Sequence, residues 1–191
     1  ALSVTITAVS TILAVAMTPA LTALLAGSRI DVNAPGLLLT TVQVVILPVV
    51  IGIALNKYLT TITHKMLAVA PFVAVLTIVL IVASIIGAGK QQIMTAGFRL
   101  LLAVFTLHVG GFSAGYVAGR LMFHQEITAR TIAIEVGMQN SGLGVVLARQ
   151  NFISPLVAIP CAISAVFHSL IGSLLAAFWR QSTDSKAPQD Y

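Results

Sequence analysis

Between Asp31 and Lys57 the chain runs without a charged side chain, through "GLLLTTVQVVILPVVIGIALN". An α-helix needs about 20 mostly apolar residues to cross the hydrocarbon of a bilayer, and this stretch supplies them. Charges and turn signals cut the rest of the chain the same way. Six apolar runs result, over 1–26, 36–56, 66–88, 94–122, 128–149 and 155–180. The breaks between them carry loop punctuation: "GSRIDVNAPG", "NKYLTTITHK", "GAGKQQ", "GRLMFHQEITAR" and "RQNFISP". Charged residues make up only 8% of the chain, whereas a soluble domain carries about a quarter, so this chain cannot cover its own surface in water. No alternating ten-residue pattern of a membrane barrel runs through it. The expectation is an all-α, polytopic membrane protein with the lipid bilayer as its solvent. Its transmembrane domain covers 1–180, and a polar, disordered tail covers 181–191.

The net charge of +5 does not point to nucleic acid, because the ten basic residues are scattered among loops and span ends. They read as topology signals. Numbering the loops alternately, Lys57, Lys65, Arg120, Arg130, Arg180 and Lys186 fall on one side, and Arg29, Lys90, Arg99 and Arg149 on the other. This bias predicts a cytoplasmic C-terminus. The single cysteine, Cys161, has no intrachain disulfide partner. The opening segment ends in small residues like a signal peptide, but it has no basic leading region and its apolar stretch is too long, so it reads as a span. With no initiator Met and a span from its first residue, the chain is expected to be a piece of a longer polypeptide.

Spans four and five carry the chemistry. In "HVGGFSAGYVAGR", Gly111, Gly115 and Gly119 recur at every fourth residue and form a smooth strip for close helix packing. His108, one turn earlier, reads as hydrogen-bonded to a neighbouring helix, with a pore-lining role as the alternative. Span five contains "EVGMQNSGLG", in which Gly137, Gly142 and Gly144 each weaken a helix by about 1 kcal/mol relative to Ala. A helix broken in the membrane is tolerated only where the freed backbone is buried in protein or lines a cavity. Secondary transporters use such unwound carbonyls to coordinate Na⁺ or H⁺.

Glu135 is the single acidic residue within the six runs. An ionised carboxylate at the bilayer centre costs at least ~2.5–3.5 kcal/mol, so it must face the interior and find a partner. One candidate is Arg130, five residues earlier, a spacing that does not share a helix face. The other is a cation from solution. Glu135, Gln139 one turn on and the loosened carbonyls around Gly137 are the oxygen donors a hard ion such as Na⁺ takes. A proton could also neutralise Glu135, although it would need neither amide nor carbonyls. Ser3, Thr7 and Ser10 line one face of span one, where such hydroxyls usually bond the preceding turn. Ser164, His168 and Gly172 form a polar and small stripe down span six.

"IEVGMQNSGLG" resembles the signature of the bile acid:sodium symporter family, and "ALSVTIT…STIL…TPAL" and "IPCAISAVFHSLIGSLLA" resemble two further family segments in the same order. The resemblance implies a ten-span protein of two inverted repeats, of which these six spans are the fifth to the tenth, with span five discontinuous. The faint likeness of the first and last spans, each with a proline (Pro19, Pro160), then marks equivalent members of the two repeats. It further implies two sodium ions. Glu135 would be shared by both, with Ser3 and Thr7 giving hydroxyls to one. Gln139 and the carbonyls of Val136 and Met138 would serve the other, and Asn140 and His168 would face the substrate. The family's first four spans, absent here, would be the chain's necessary partner.

The expected function is sodium-driven symport of an organic anion, such as a bile acid, across the cell's inner (plasma) membrane. Small carboxylates such as pantoate or keto acids are the alternative substrates. No basic residue lies mid-span to pair with a carboxylate, which leaves glycine-loosened helix N-termini as the anion binder. A proton-coupled carrier and a structural membrane subunit are the rival readings. An enzyme is not expected, because no H-E-x-x-H or G-x-S-x-G pattern is present.

Overall fold

The computed structural model describes residues 2–184; from 185 on, the expected tail lies outside the described residues, and with it Lys186 and Asp190. Helices follow one another in the order α1 (Leu2–Ala26), α2 (Ala34–Thr41), α3 (Leu47–Tyr58), α4 (Thr60–Leu67), α5 (Ala70–Ala88), α6 (Lys90–Phe123), α7 (Glu126–Gly137), α8 (Ser141–Asn151) and α9 (Ile159–Asp184). A π turn, Val42–Ile46, joins α2 to α3, and a 3-10 turn, Pro155–Ala158, leads into α9. Among the described residues there is no strand. Among the described residues, five helical segments are long and apolar enough to cross a membrane: Leu2–Ala26, Ala34–Tyr58, Ala70–Ala88, Gly97–Phe123 and Pro155–Gln181. The run expected at 128–149 is not one helix but two, α7 and α8, of 12 and 11 residues, each too short to cross alone.

Several expected loops are shorter than their sequence suggested. "NKYLTTITHK" holds a short helix, α4, separated from α3 only by Leu59 (φ −128°, ψ 45°). The Thr60 hydroxyl donates to the Asn56 carbonyl (3.1 Å), one of those at the end of α3, while the Thr63 N–H and hydroxyl both donate to the Leu59 carbonyl (3.0 Å each). At "GAGKQQ" helix resumes at Lys90, directly after Gly89. The real interruption comes at Gly97, whose φ of 61° breaks α6 at its foot, in a region of backbone space that favours glycine. Glu126, expected in a loop, opens the first turn of α7, because the reversal is completed on His124 (φ 57°) and Gln125.

The chain divides into two compact units. Among the described residues, the first comprises 2–95 and 141–162, the second 96–140 and 163–184. In the first, α2 packs against α1 and α8. Leu37 and Thr41 are its most buried side chains there, and the Thr41 hydroxyl is turned back onto the Leu37 carbonyl at 2.7 Å. Asn33 caps α2 by accepting the Gly36 N–H (3.0 Å), and Thr40 donates to Asn151 of α8 (3.2 Å).

In the second unit, the glycine strip of α6 lies against α7. A Cβ at Gly119 would stand 2.7 Å from the Ala129 Cα, and one at Gly115 would stand 2.9 Å from the Ile132 carbonyl oxygen. Ala129 and Ala133 on the facing side are wholly buried. Two backbones in contact are what a small-residue seam provides in lipid, where dispersion rather than hydrophobicity must hold helices together.

Candidate ion site at a broken helix

The last regular hydrogen bond of α7 runs from Met138 N–H to the Ile134 carbonyl (2.9 Å). At Met138 the backbone turns extended (φ −87°, ψ 110°), and helix does not resume until Ser141. In an unbroken helix the Gln139 N–H would reach back to the Glu135 carbonyl. Here it donates to Nδ1 of His168 at 3.2 Å. The Gly137 carbonyl, another group orphaned by the break, receives Nδ1 of His108 at 3.0 Å. A carbonyl only accepts, so the His108 proton sits on Nδ1; in the neutral ring Nε2 then receives the Ser164 hydroxyl, 2.7 Å away. By the same logic, Nδ1 of His168 is unprotonated and its proton lies on Nε2.

These supports are buried. His108 has no exposed surface, and Ser164 and His168 are nearly as enclosed. The two imidazoles meet edge to face with centroids 5.4 Å apart. Phe112 fills the space beneath Gly137 so completely that a Cβ at Gly137 would enter its ring. The stripe Ser164, His168 and Gly172 faces this break, with a Cβ at Gly172 falling 3.4 Å from the Met138 sulfur.

Glu135 is half-buried one turn before the break, whereas Val136, Met138, Gln139 and Asn140 are exposed. This places a carboxylate, two amide side chains and the negative end of a helix dipole within six residues. Among the described residues no three His, Cys, Asp or Glu side chains converge as a metal site. One carboxylate with amide and carbonyl oxygens suits a hard cation of low charge rather than a transition metal.

The structure thus brings Glu135, Val136, Met138, Gln139, Asn140 and His168 together around one break in the second unit. Ser3 and Thr7 belong to α1 in the first unit. The Thr7 hydroxyl donates to the Ser3 carbonyl (2.9 Å). Arg130, the candidate protein partner for Glu135, pairs with Glu126, one turn upstream, at 2.9 Å. It also donates to the Trp179 carbonyl (3.3 Å) and lies over the Trp179 ring. The Tyr116 hydroxyl and Arg120 complete that cluster (3.0 and 3.7 Å to Glu126). The Arg130 hydrogen bond, and after it that of Tyr116, hold the Glu126 carboxyl below its ordinary pKa.

Sequence reasoning placed His108 against a neighbouring helix but did not identify the Gly137 carbonyl as its partner. The signal was its spacing. His108 stands one turn before Gly111 and Phe112, on the face that the glycine strip turns towards α7.

Fold and site define the class: a polytopic, all-α membrane protein with a helix interrupted at an acidic, amide-rich segment. The chain belongs to the sodium bile acid symporter family, whose profile matches residues 1–96. It is 49% identical over 182 residues to "Probable sodium/metabolite cotransporter BASS1, chloroplastic" of Arabidopsis thaliana, covering 95% of this chain and 45% of that protein. The BASS1 protein of Oryza sativa subsp. japonica is 45% identical over 180 residues, covering 94% and 44%. The "Uncharacterized sodium-dependent transporter YocS" of Bacillus subtilis (strain 168) is 37% identical over 187 residues, covering 97% and 58%. The chain therefore spans about half the length of these curated relatives.

Proposed function

We propose that the full-length protein is a sodium-coupled symporter that carries an organic anion inward across the plasma membrane, with its C-terminus in the cytoplasm. The observation that carries this reading is the break at Met138–Asn140, held open by two histidines beside Glu135 in a chain of this family. Glu135, Gln139 and the carbonyls of Val136 and Met138 are the proposed sodium ligands, joined for one of two ions by the Ser3 and Thr7 hydroxyls. Sodium neutralises the carboxylate and the helix end, and so favours the arrangement of the break that receives substrate. Asn140 and His168 Nε2 are the proposed substrate contacts. Coupling follows because ion and anion order the same few residues.

Within this reading a small carboxylate rivals a bile acid as cargo, since the similar plant proteins carry "sodium/metabolite cotransporter" in their names. The test is uptake of labelled taurocholate by the full-length protein in sealed vesicles, with an inward sodium gradient against potassium. Pantoate and pyruvate compete in parallel. Uptake that needs sodium and collapses in Glu135→Ala supports the proposal, and the effective competitor names the substrate class. Uptake driven by a pH gradient and indifferent to sodium would replace the ion by a proton and remove Ser3, Thr7 and Gln139 from the site.

A further inference from the structure

We infer that His108 is a positioning residue for the ion site: through its hydrogen bond to the Gly137 carbonyl and its tether to Ser164, it fixes the unwound backbone on which the proposed sodium ligands are mounted. The inference rests on the reading of the break as a sodium site. His108 itself is not a ligand, because both of its nitrogens are taken, one by Gly137 (3.0 Å) and one by Ser164 (2.7 Å).

Three observations carry it. The first is position: Gly137 lies between Val136 and Met138, so a rotation of the Gly137–Met138 peptide re-aims the neighbouring carbonyls. That peptide is the last one tied into α7, by its Met138 N–H to Ile134 (2.9 Å), and its carbonyl is held by His108 as the backbone turns extended. The second is burial. An imidazole with no exposed surface and both nitrogens engaged cannot change its direction without vacating packed space. The third is the partner ring. His168, edge-on to His108 at 5.4 Å, takes the Gln139 N–H, so one histidine holds the carbonyl before Met138 and the other holds the amide after it. The break is clamped on both sides, and its geometry is set by α6 and α9 rather than by its own sequence. Groups that orient ligands in this way typically shift metal affinity by about 10–100-fold when removed.

The test uses the purified full-length protein in detergent, with sodium alone as the probe. Thermal stabilisation is titrated with NaCl, with choline chloride holding ionic strength constant. The variants are His108→Ala, His108→Gln, Ser164→Ala and Glu135→Ala. Hydrogen exchange over residues 136–140 is followed in each without sodium. His108→Ala is expected to raise the half-maximal sodium concentration about tenfold and to speed exchange at Met138 and Gln139. Ser164→Ala should do the same more weakly. His108→Gln, which can still donate to Gly137 and accept from Ser164, should recover most of the wild-type value. Should His108→Ala not fold, Ser164→Ala and His108→Gln decide by the same two readouts. Wild-type sodium midpoints and exchange in His108→Ala, or in Ser164→Ala where the former does not fold, would overturn the positioning role. Sodium-specific stabilisation that survives in Glu135→Ala, or is missing from the wild type, would sink the ion-site reading instead. The exchange data would still judge the clamp in that case.

Discussion

Two interruptions of the chain's apolar runs, one before α3 and one after α7, are made in very different ways. Between α2 and α3 the cause is Pro48, which lacks an N–H and presses its ring on the carbonyl four residues back. The helix answers by widening one turn, with Leu47 N–H reaching Val42 across five residues, and then continues on its way. Between α7 and α8 there is no proline. The helix stops, and the freed Gly137 carbonyl and Gln139 amide are taken up by histidines of other helices. An interruption written by one residue is healed within its own helix. One that must stay open borrows its hydrogen bonds from elsewhere in the fold.

That contrast can be broken experimentally. The largest effect is expected for Gly137→Ala, whose Cβ would enter the Phe112 ring, at a cost of about 3 kcal/mol. Gly52→Ala, one turn beyond Pro48 with nothing within 4 Å of the new Cβ, should gain up to about 1 kcal/mol. Melting temperatures in detergent that move together in the two variants would erase the distinction. Next comes Ser164→Ala, which leaves Nε2 of a buried His108 without its partner and should destabilise the protein by about 1–3 kcal/mol in chemical or thermal unfolding. Thr41→Val, beside the π turn, removes a hydroxyl bonded only within its own helix, and about 1 kcal/mol or less is expected. Pro48→Ala should let the π turn relax to α, visible as a new N–H hydrogen bond in a structure of the variant. Its stability change should stay within about 1 kcal/mol, because the turn was already satisfied.

The smallest effect concerns the first turn of α7, where half-buried ion pairs replace buried histidines. Glu126 has its pKa lowered by Arg130 and Tyr116 in the folded protein, so its contribution is present above the ordinary carboxylate pKa and disappears as pH falls through the depressed folded value. The gap in melting temperature between wild type and Glu126→Gln should therefore be constant near neutrality and close on acidification below about pH 4. It should also be small throughout, since the pair is only half-buried and screened by solvent. A gap that widened in acid would reverse the assignment.

Class and break were both legible in the residues. Runs such as 36–56 hold no charge, and a chain with that pattern has few solutions other than transmembrane helices. Gly137 among polar side chains marked the discontinuity, whereas Gly142 and Gly144, expected to weaken the same stretch, lie inside the regular helix α8. Loop lengths were read less well, because turn residues such as Asn56 and the threonines of "NKYLTTITHK" mark where a helix can end but not whether it does. At α4, hydroxyl-to-carbonyl bonds let helix continue almost at once.

What the sequence determined by itself is the solvent this protein lives in, the helical class that solvent imposes and the place where one helix fails. Those follow from local composition, since lipid offers no partner to an open backbone group and each residue carries its own cost of burial. What only the tertiary structure decided is who satisfies the failed helix. His108 and His168 lie 29 residues before and after their partners, Gly137 and Gln139. No local pattern specifies that Arg130 turns to Glu126, or that an imidazole aims at the carbonyl of Gly137. Those choices are made by helix packing along the glycine strip, which sets the faces and the register at which the side chains meet.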